Sequence, residues 1–330
     1  MKKNLARWLV DVWYKDPFIG VWLSPLGFLF SDAVKFRKFL YRLGVFKTHT
    51  LLVPVIVVGN ITVGGTGKTP LIIWLAQFLK DSGFKPGIIS RGYGGQAETW
   101  PQWVEANGDA KNVGDEALLI ANQTGCPMAV GPLRVEAANM LLKHADCNVI
   151  LSDDGLQHYA LNRDIEIAVI DGERRFGNGY CLPAGPLREP IERLQSVDLI
   201  IVNGEKSEEC EFAMQLVGDT AVNLVTGEQK PLQEFNSCHA LAGIGNPERF
   251  FKLLASAGLT CITHSFPDHY QFQRHDIEFG DNKSVLMTEK DLVKCAGFAG
   301  KQHWYLPVKA VPEPGFAEQL LNLLSEKHDR

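Results

Sequence analysis

Short apolar runs alternate with helically spaced apolar positions along most of the chain after residue 49. The runs cover residues 53–58, 87–90, 128–130, 147–151, 165–170 and 197–202, and the helical spacing covers 68–80, 115–122 and 133–144. Because apolar residues occupy consecutive positions in these runs, the strands are expected to be buried on both faces, as in a parallel sheet. The pattern predicts an α/β fold, with a mostly parallel sheet and helices on both faces.

The regular alternation weakens across residues 205–237. A smaller α/β unit follows, with an apolar run at 241–245, a predicted helix at 247–257 and predicted strands at 284–287 and 303–306. We therefore expect three parts: an N-terminal segment at 1–48, a main domain at 49–215, and a smaller C-terminal domain at 216–330 that closes over the functional site.

Charge is unevenly distributed along the chain. Residues 1–49 carry a net charge of +6 and 11 of the 32 aromatic residues, whereas the whole chain has a net charge of −5. Basic residues are attracted to anionic headgroups, and Trp and Tyr favour the membrane interface. The segment 1–48 is therefore predicted to associate with a membrane surface.

The apolar stretch at 18–30 is too short to span a bilayer, since a span needs about twenty apolar residues. An amphipathic hairpin lying in the membrane plane fits better. Its predicted apolar helical face consists of Leu5, Trp8, Leu9, Val12 and Trp13. A helix pair packed on the protein's own core is the alternative interpretation.

The overall composition is that of a globular protein, with 45% hydrophobic and 22% charged residues. Seven cysteines without CxxC spacing indicate a reducing compartment and argue against a disulfide framework or a zinc ribbon. Charged residues interrupt the first apolar run, so we expect no cleavable signal peptide.

Residues 59–70 read GNITVGGTGKTP and follow the apolar run 53–58. A glycine loop between a strand and a helix cradles phosphate with backbone N–H groups and the helix N-terminus. Lys68 is expected to reach the β- and γ-phosphates, and the Thr69 hydroxyl to hold Mg²⁺. The predicted nucleotide-binding residues are Thr62, Val63, Gly64, Gly65, Thr66, Gly67, Lys68 and Thr69. The strict motif has glycine where Thr62 stands, and an ordinary glycine-rich turn is the alternative. The loop nevertheless makes a P-loop NTPase-type fold our prediction.

Acidic residues occur where a P-loop protein needs them. Asp153 and Asp154 follow the run 147–151, and the carboxyl end of a buried strand is where such proteins hold Mg²⁺. Asp115 and Glu116 begin a predicted helix, and a carboxylate can accept the proton of an attacking hydroxyl. Capped turns and helix starts are the structural alternatives.

Further polar residues complete the candidate site. Arg91 and Tyr93 of SRGYGG follow a strand and could clamp phosphate or stack, although a surface loop is equally compatible. His269 lies in the smaller unit and could pair with an acid, and Arg188 could neutralise transition-state charge. A structural histidine and a surface ion pair are the respective alternatives.

The blocks together resemble the tetraacyldisaccharide 4′-kinase family of lipid A biosynthesis. They are GNITVGGTGKTP, SRGYGG, VGDEALLI, SDDGLQHYALNRDIEIAVID, FGNGYCLPAGPLREP, FPDHYQF and MTEKDLVK, in the family's order and spacing. The resemblance covers nearly the whole chain, including the basic head, and the family's loop shares the departure at Thr62. It implies that 49–215 is a P-loop kinase domain.

The resemblance implies phosphorylation of the 4′-hydroxyl of a tetraacylated glucosamine disaccharide 1-phosphate, a lipid A precursor, to give lipid IVA. ATP and Mg²⁺ are the implied cofactors, and the implied location is peripheral, at the cytoplasmic face of the bacterial inner membrane. No nucleic-acid partner is expected. The implied catalytic residues are Asp115, His269, Lys68, Asp154 and Arg188, with Asp115 and His269 as a pair. The implied metal-associated residues are Thr69, Glu116 and Asp153, and the weaker nucleotide contacts are Arg91, Tyr93 and Gln157.

Two other functions remain open on the residues alone. A membrane-associated ATPase switch of the deviant P-loop kind has a similar GGTGKT run. That class expects a lysine just before the paired glycines, where this chain has Val63. A soluble P-loop enzyme of small-molecule metabolism is the third hypothesis, and the basic aromatic head argues against it.

Overall fold

The structure is a computed structural model that describes residues 2–15, 17–106, 108–268 and 270–328. It begins with two helices, α1 (Lys2–Tyr14) and α2 (Pro17–Arg42), which pack against each other. Two sheets follow, and helices cover them. The helices are α3 (Lys68–Asp81), α4 (Ala110–Val113), α5 (Asp115–Thr124), α6 (Arg134–His144), α7 (Pro247–Ser256), α8 (Arg274–Ile277), α9 (Glu289–Cys295) and α10 (Pro314–His328).

The larger sheet has nine strands within the described residues. They are β1 (Val55–Gly59), β2 (Pro86–Ser90), β3 (Gln102–Trp103), β4 (Met128–Val130), β5 (Val149–Asp153), β6 (Ile165–Asp171), β7 (Leu199–Asn203), β8 (Glu211–Val217) and β15 (Lys309–Pro312). Their order is β15-β8-β7-β6-β1-β5-β2-β4-β3. The seven central strands are parallel, and an antiparallel strand covers each edge. The predicted mostly parallel sheet is therefore confirmed.

Alternate residues of the central strand β1 enter different cores. Ile56 and Val58 pack in the cluster that contains Leu71 of α3, whereas Val55 and Val57 pack in the cluster that contains Leu141 of α6. Side chains alternate between the faces of a strand, so a strand that is apolar at every position needs cover on both sides. Helices on both faces of the sheet, as predicted, provide that cover.

The smaller sheet contains β9 (Thr220–Asn223), β10 (Gln229–Pro231), β11 (Ser237–Ala242), β12 (Thr260–Ser265), β13 (Ser284–Thr288) and β14 (His303–Leu306), in the order β10-β9-β14-β13-β11-β12. Its apolar core joins the sheet to α7 through Phe250 and Leu254. Residues 205–237, which the sequence pattern left irregular, contain β8, β9 and β10. These three strands contain exposed and polar positions, so they lack the continuous apolar runs that mark the other predicted strands.

The domain boundaries differ from the prediction at 215/216 and at the C-terminus. Strand β8 runs on to Val217, and after β14 the chain returns to the larger sheet, where Ala310 of β15 pairs with Leu216. Helix α10 buries Phe316 and Leu320 in the same core as Leu71. The smaller unit is thus an insertion between β8 and β15, and residues 309–328 belong to the main domain.

The two N-terminal helices pack one face against the loop that follows β6. The Trp13 indole donates a hydrogen bond to the carbonyl of Pro183 at 3.0 Å. A Cβ at Gly27 would lie 2.9 Å from the carbonyl oxygen of Cys181, so glycine permits this close approach. Val12 and Trp13 are buried. For these two residues of the predicted apolar face, the structure agrees with the alternative interpretation, in which the helix pair packs on the protein's own core.

The opposite face of α2 is apolar and exposed. Its exposed large side chains are Val21, Trp22, Leu26, Phe28, Leu29, Phe36 and Phe39. Among the described residues, no helix has the length and hydropathy that crossing a bilayer would require.

Candidate active site at the strand ends

Five parallel strands of the larger sheet end in polar residues at one edge. Asn60 follows β1, Ser90 ends β2, Asp153 ends β5, Asp171 ends β6 and Asn203 ends β7. In open α/β sheets, ligands bind outside the carboxyl ends of the strands. A cavity of about 1380 Å³ lies here, and its walls come from the phosphate loop, the strand ends, α2 and the smaller domain.

The phosphate loop joins β1 to α3, as predicted. Gly67 precedes the helix with a φ of 99°, a left-handed conformation that favours glycine, and a Cβ there would overlap the side chain of Asn203. The Asn203 amide donates to the carbonyl of Thr66 at 3.1 Å and so fixes the loop from a neighbouring strand. The N-terminus of α3 therefore faces the cavity with its free backbone N–H groups.

Thr62 has a structural reason to replace the glycine of the strict motif. It forms an isolated antiparallel bridge with Leu187 and is buried. On either side, Val63 N–H donates to the carbonyl of Pro186 at 2.8 Å, and Arg188 N–H donates to the carbonyl of Ile61 at 2.6 Å. This half of the phosphate loop is thus extended and paired, which suits a β-branched residue.

Lys68 lies at the start of α3 between two side-chain oxygens. Its Nζ is 3.2 Å from Asn60 Oδ1 and 3.5 Å from Asp154 Oδ1. Arg188 approaches the same carboxylate and donates to Asp154 Oδ1 and Oδ2 at 3.0 and 2.9 Å. The structure therefore brings together three predicted catalytic residues, and both cations line the cavity.

Asp153 is buried deeper than its neighbour. Its Oδ2 accepts a hydrogen bond from Ser90 Oγ at 3.1 Å, and its Oδ1 is buried without a hydrogen-bond partner. Burial, followed by the charges of Glu116 and Asp154, raises the pKa of Asp153 to about 6. A buried carboxylate oxygen without a partner suits a ligand or a cation that binds at this point.

The residues around Asp153 also fit the predicted Mg²⁺. Among the described residues, no cluster of three His, Cys, Asp or Glu side chains can hold a metal unaided. Thr69 and Asp153 both line the cavity and offer hard oxygen atoms. Since Mg²⁺ usually combines one or two protein oxygens with phosphates and water, this small donor set fits a metal shared with nucleotide.

Asp115 and Glu116 occupy the first turn of α5, where the helix dipole favours acids. Glu116 lines the cavity, and Asp115 beside it has a mostly buried side chain. Two lysines of the smaller domain meet them. Lys290 Nζ lies 2.7 Å from Glu116 Oε1 and 3.0 Å from Asp268, and Lys294 Nζ lies 3.5 Å from Asp115 Oδ2.

His269, the predicted partner of Asp115, lies outside the described residues. Its neighbour Asp268 does line the cavity and binds Lys290, so the FPDHY block reaches this edge of the site. Arg91 and Tyr93 also line the cavity, and both are exposed.

Gln157 connects the strand ends to a buried acid. Its amide donates to the carbonyl of Asn60 at 3.1 Å and to Glu189 Oε1 at 2.8 Å. Glu189 is almost completely buried, accepts a hydrogen bond from Tyr159 and faces Arg193. This network anchors the residue that follows Arg188, and so it helps to aim that arginine at Asp154.

Sequence reasoning missed Arg134 and His158, which contact each other on the α6 side of the cavity. Arg134 donates to the carbonyl of Gly131 at 3.0 Å, and its backbone N–H donates to His158 Nε2 at 3.3 Å. Burial, followed by the charge of Arg134, lowers the pKa of His158 to about 4, so this histidine is neutral at pH 7. The position of Arg134 at the start of α6, just beyond the carboxyl end of β4, was the available signal.

A loop of the smaller domain lies on the phosphate loop. A Cβ at Gly245 would overlap the backbone nitrogen of Gly65. Beside it, Asn246 and Arg249 bind the two oxygens of Asp171 at 3.1 and 2.6 Å. The strand-end acid of β6 therefore ties the smaller domain to the site, although the sequence suggested no role for Asp171.

Comparison with known proteins gives matches along nearly the whole chain. A family model described as LpxK, tetraacyldisaccharide-1-P 4′-kinase, matches residues 19–325. The tetraacyldisaccharide 4′-kinase of Nitrosococcus oceani is 54% identical over 96% of this chain and 94% of its own length. The corresponding protein of Alkalilimnicola ehrlichii is 50% identical over 93% of each chain.

One solved structure is similar over almost the same extent. The crystal structure of LpxK from Aquifex aeolicus in complex with ATP superposes with a TM-score of 0.77 at 28% identity. It covers 93% of this chain and the whole of that chain.

Proposed function

Because this chain belongs to the tetraacyldisaccharide 4′-kinase family, we propose that the cavity at the strand ends holds ATP beside the headgroup of a lipid acceptor. The protein is a transferase of lipid A biosynthesis that phosphorylates the 4′-hydroxyl of a tetraacylated disaccharide 1-phosphate, with ATP as donor. The ATPase-switch alternative is not favoured, since the family match extends through both domains. The structural observation that carries the proposal is the position of Lys68, whose Nζ lies between Asn60 Oδ1 and Asp154 Oδ1 in the cavity.

The chain's own groups provide for phosphoryl transfer through positioning and charge. The backbone N–H groups of the phosphate loop and Lys68 bind the β- and γ-phosphates. Arg188 lies 2.9 Å from Asp154 and faces the same space, where it neutralises charge on the transferred group. Asp154 holds both cations in place before substrate arrives.

Asp115 is the group that accepts the proton of the 4′-hydroxyl as that oxygen attacks. It directly precedes Glu116, which lines the cavity, and a carboxylate close to the nucleophile can orient it and remove its proton. The family resemblance adds His269 as its partner. Tyr93 and Arg91 lie on the exposed wall of the cavity, where the nucleotide enters.

Thr69 and Asp153 would hold Mg²⁺, with Glu116 next to them. When bound, the metal neutralises charge on the β- and γ-phosphates and fixes their geometry. The buried and unpaired Asp153 Oδ1 supports this assignment. The charge of Glu116 already acts on Asp153, because it contributes to the raised pKa of that residue.

The N-terminal helices dock the enzyme on the membrane that contains its acceptor. The exposed face of α2 presents Trp22, Phe28 and Leu29, while the face that carries Gly27 packs on the main domain. Aromatic and apolar residues next to basic ones suit partial insertion into an anionic surface. We assign the protein to the cytoplasmic face of the bacterial inner membrane, as a peripheral protein.

The smaller domain closes over the nucleotide. It contacts the main domain at the phosphate loop, at Asp171 and at the acids of α5, and these three points surround the cavity. Closure of this kind excludes water from the transferred phosphoryl group.

Mass spectrometry of the lipid after incubation with ATP tests the function. We expect one added phosphate per acceptor and one ADP per product, with the new phosphate on the 4′ oxygen. ADP release at an undiminished rate without the lipid, and no phosphorylated product with it, would favour the ATPase switch instead.

A further inference from the structure

Helix α9 places two lysines opposite the two acids that begin α5. Lys290 and Lys294 are one helical turn apart, so they lie on the same face of α9. Lys290 binds Glu116 at 2.7 Å, and Lys294 lies 3.5 Å from Asp115. Two consecutive acids of the main domain are therefore matched, one by one, by cations of the smaller domain.

The two lysines differ in what they can reach. Lys290 lines the cavity, whereas Lys294 does not, and only 4% of the Lys294 side chain is exposed. A buried ammonium at this depth needs carboxylate partners, because desolvation of an unpaired charge costs several kcal/mol. Lys294 is thus a fixed cation behind the site and not a ligand for incoming phosphate.

Asp291 fixes the position of Lys294. Its side chain is completely buried, and its Oδ1 lies 3.2 Å from Lys294 Nζ. Its Oδ2 accepts hydrogen bonds from Gly243 N–H at 2.9 Å and from Thr288 Oγ1 at 2.6 Å. The carboxylate therefore has partners on both oxygens, and the lysine cannot swing away without leaving a buried charge unpaired.

The same contacts lead to the phosphate loop. Gly243 is two residues before Gly245, whose backbone lies against Gly64 and Gly65. A continuous series of contacts thus runs from Asp115 through Lys294 and Asp291 to the loop that touches the nucleotide-binding segment. Each link is a direct hydrogen bond, an ion pair or a backbone contact.

We propose that Lys294 is a positioning residue for Asp115, which holds this carboxylate in the correct orientation when the two domains are together. The proposal rests on the proposed function, in which Asp115 accepts the proton of the 4′-hydroxyl. A cation 3.5 Å from a carboxylate attracts it and so restricts its rotamers. Because Lys294 belongs to the smaller domain, it can hold Asp115 in this orientation only while that domain contacts α5.

The test compares Lys294→Met and Lys294→Arg in the full chain, with Lys301→Met as the control. Lys301 is an exposed lysine of the same domain. We expect Lys294→Met to lower kcat about 10- to 100-fold while the KM values for ATP and lipid change less than about twofold. Lys294→Arg should recover part of kcat, since it restores a cation, and the control should match the wild type.

A second variant separates positioning from folding. Lys294→Met leaves Asp291 as an unpaired buried charge, so its melting temperature is expected to fall. In Lys294→Met/Asp291→Asn both charges are absent, so the fold should recover more than kcat does. A folded double variant with wild-type kcat would overturn the proposal, as would a raised KM for ATP at unchanged kcat.

A third comparison separates this inference from the assignment of the base. Asp115→Asn should be slow, and adding Lys294→Met to it should cause little further loss, since both act on one step. If Asp115→Asn keeps wild-type kcat, the base assignment itself is wrong. If Asp115→Asn is slow but Lys294→Met is as fast as the wild type, only the positioning role is refuted.

Discussion

Asp153 and Asp154 are adjacent at the end of β5, yet their carboxylates lie in opposite electrostatic surroundings. Asp153 is enclosed, and burial together with the charges of Glu116 and Asp154 raises its pKa to about 6. Burial alone would also raise the pKa of Asp154, but Lys68 and Arg188 outweigh it and hold that pKa well below its usual range. Asp154 has a φ of 48°, a left-handed conformation that Asp tolerates, and this turns the chain between the two. Neighbouring acids with separated pKa values are typical of catalytic sites.

Substitution of these two acids by asparagine is therefore predicted to change stability in opposite directions. The raised pKa means that the folded state binds the Asp153 proton more tightly than the unfolded state does. The contribution of Asp153 to the free energy of unfolding of the wild type thus falls as pH rises from about 4 to about 6. Asp153→Asn should stabilise the nucleotide-free protein at pH 8 by up to about 3 kcal/mol, with little effect at pH 4.

Asp154→Asn provides the matched comparison. Its lowered pKa reflects stabilisation by Lys68 and Arg188, which is present at neutral pH and is lost when the carboxylate is protonated in strong acid. Asp154→Asn should therefore destabilise the protein at pH 8. Urea denaturation at pH 4, 6 and 8 measures both effects, and shifts of the same sign at pH 8 would contradict the contrast. Both variants should lose most of their activity.

Lys68→Ala is predicted to abolish turnover while the fold remains intact. The lysine lies 3.5 Å from Asp154 at the N-terminus of α3, and its charge should follow the phosphates into the transition state. We expect kcat to fall by at least about 10²-fold. Lys143→Ala, at an exposed position of α6, is the control. Near-normal kcat together with an unchanged melting temperature would contradict the assignment of residues 59–70 as the phosphate loop.

Much of this site could be predicted from local sequence, and the remainder depends on contacts between distant segments. The phosphate loop and the Asp153–Asp154 pair each follow an apolar strand, so their place at the sheet edge was predictable. Thr62 departs from the strict phosphate-loop motif, and its pairing with Leu187, a distant residue, is the reason that the sequence alone could not supply. Strand β15 was missed because four residues at a sheet edge carry no distinctive pattern.

The partners of the two α9 lysines also could not be predicted from local sequence. The MTEKDLVK block was recognisable, but a lysine on a short helix has no spacing that identifies its partner. The contacts of Lys290 and Lys294 with α5 exist only because the smaller domain folds back over the larger sheet. Asp171 could not be assigned for the same reason, since its partners Asn246 and Arg249 belong to the smaller domain.

Activity is predicted to require a divalent cation. Thr69, Asp153 and the ATP phosphates offer the hard oxygen ligands that Mg²⁺ prefers. EDTA should abolish turnover, and added Mg²⁺ or Mn²⁺ should restore it. As a readout that does not need turnover, Mg²⁺ should enlarge the increase in melting temperature that ATP produces, and Asp153→Asn should reduce that increment. Full activity in EDTA would refute the prediction.

Asp115 and His269 are predicted to act as one proton-accepting unit. The prediction rests on the sequence blocks that contain them and on the position of Asp115 next to Glu116, which lines the cavity. Single alanine substitutions should each lower kcat, and the double variant should be about as slow as the slower single variant. Losses that multiply fully in the double variant would count against a shared step.

Membrane attachment is predicted to depend on the exposed face of α2, and point substitutions test it better than truncation. Deletion of residues 1–30 would also remove the Trp13 hydrogen bond to Pro183 and the packing of Gly27 on Cys181. A folding defect could then be mistaken for lost attachment. Substitutions confined to the exposed face leave these contacts in place.

The variant Trp22→Ser/Leu29→Ser/Phe36→Ser removes three side chains that are 77%, 68% and 61% exposed. Insertion of each side chain into a bilayer contributes roughly 1.5 kcal/mol or more to the binding free energy, so vesicle binding of the variant should weaken at least about 10²-fold. Turnover of vesicle-embedded lipid should fall more than turnover of detergent-solubilised lipid. The melting temperature should stay within about two degrees, because these side chains pack little against the protein.

The control variant is Val217→Ser/Val225→Ser/Val311→Ser, which removes exposed apolar side chains of β8, of the turn between β9 and β10, and of β15. It should bind anionic vesicles as the wild type does. Wild-type binding should also weaken between 0.05 and 0.5 M salt, roughly in step with the shorter screening length, since residues 1–49 carry a net charge of +6. If the folded α2 variant binds anionic vesicles as tightly as the control, the exposed face is not the attachment surface, and the basic residues of the head alone must provide it.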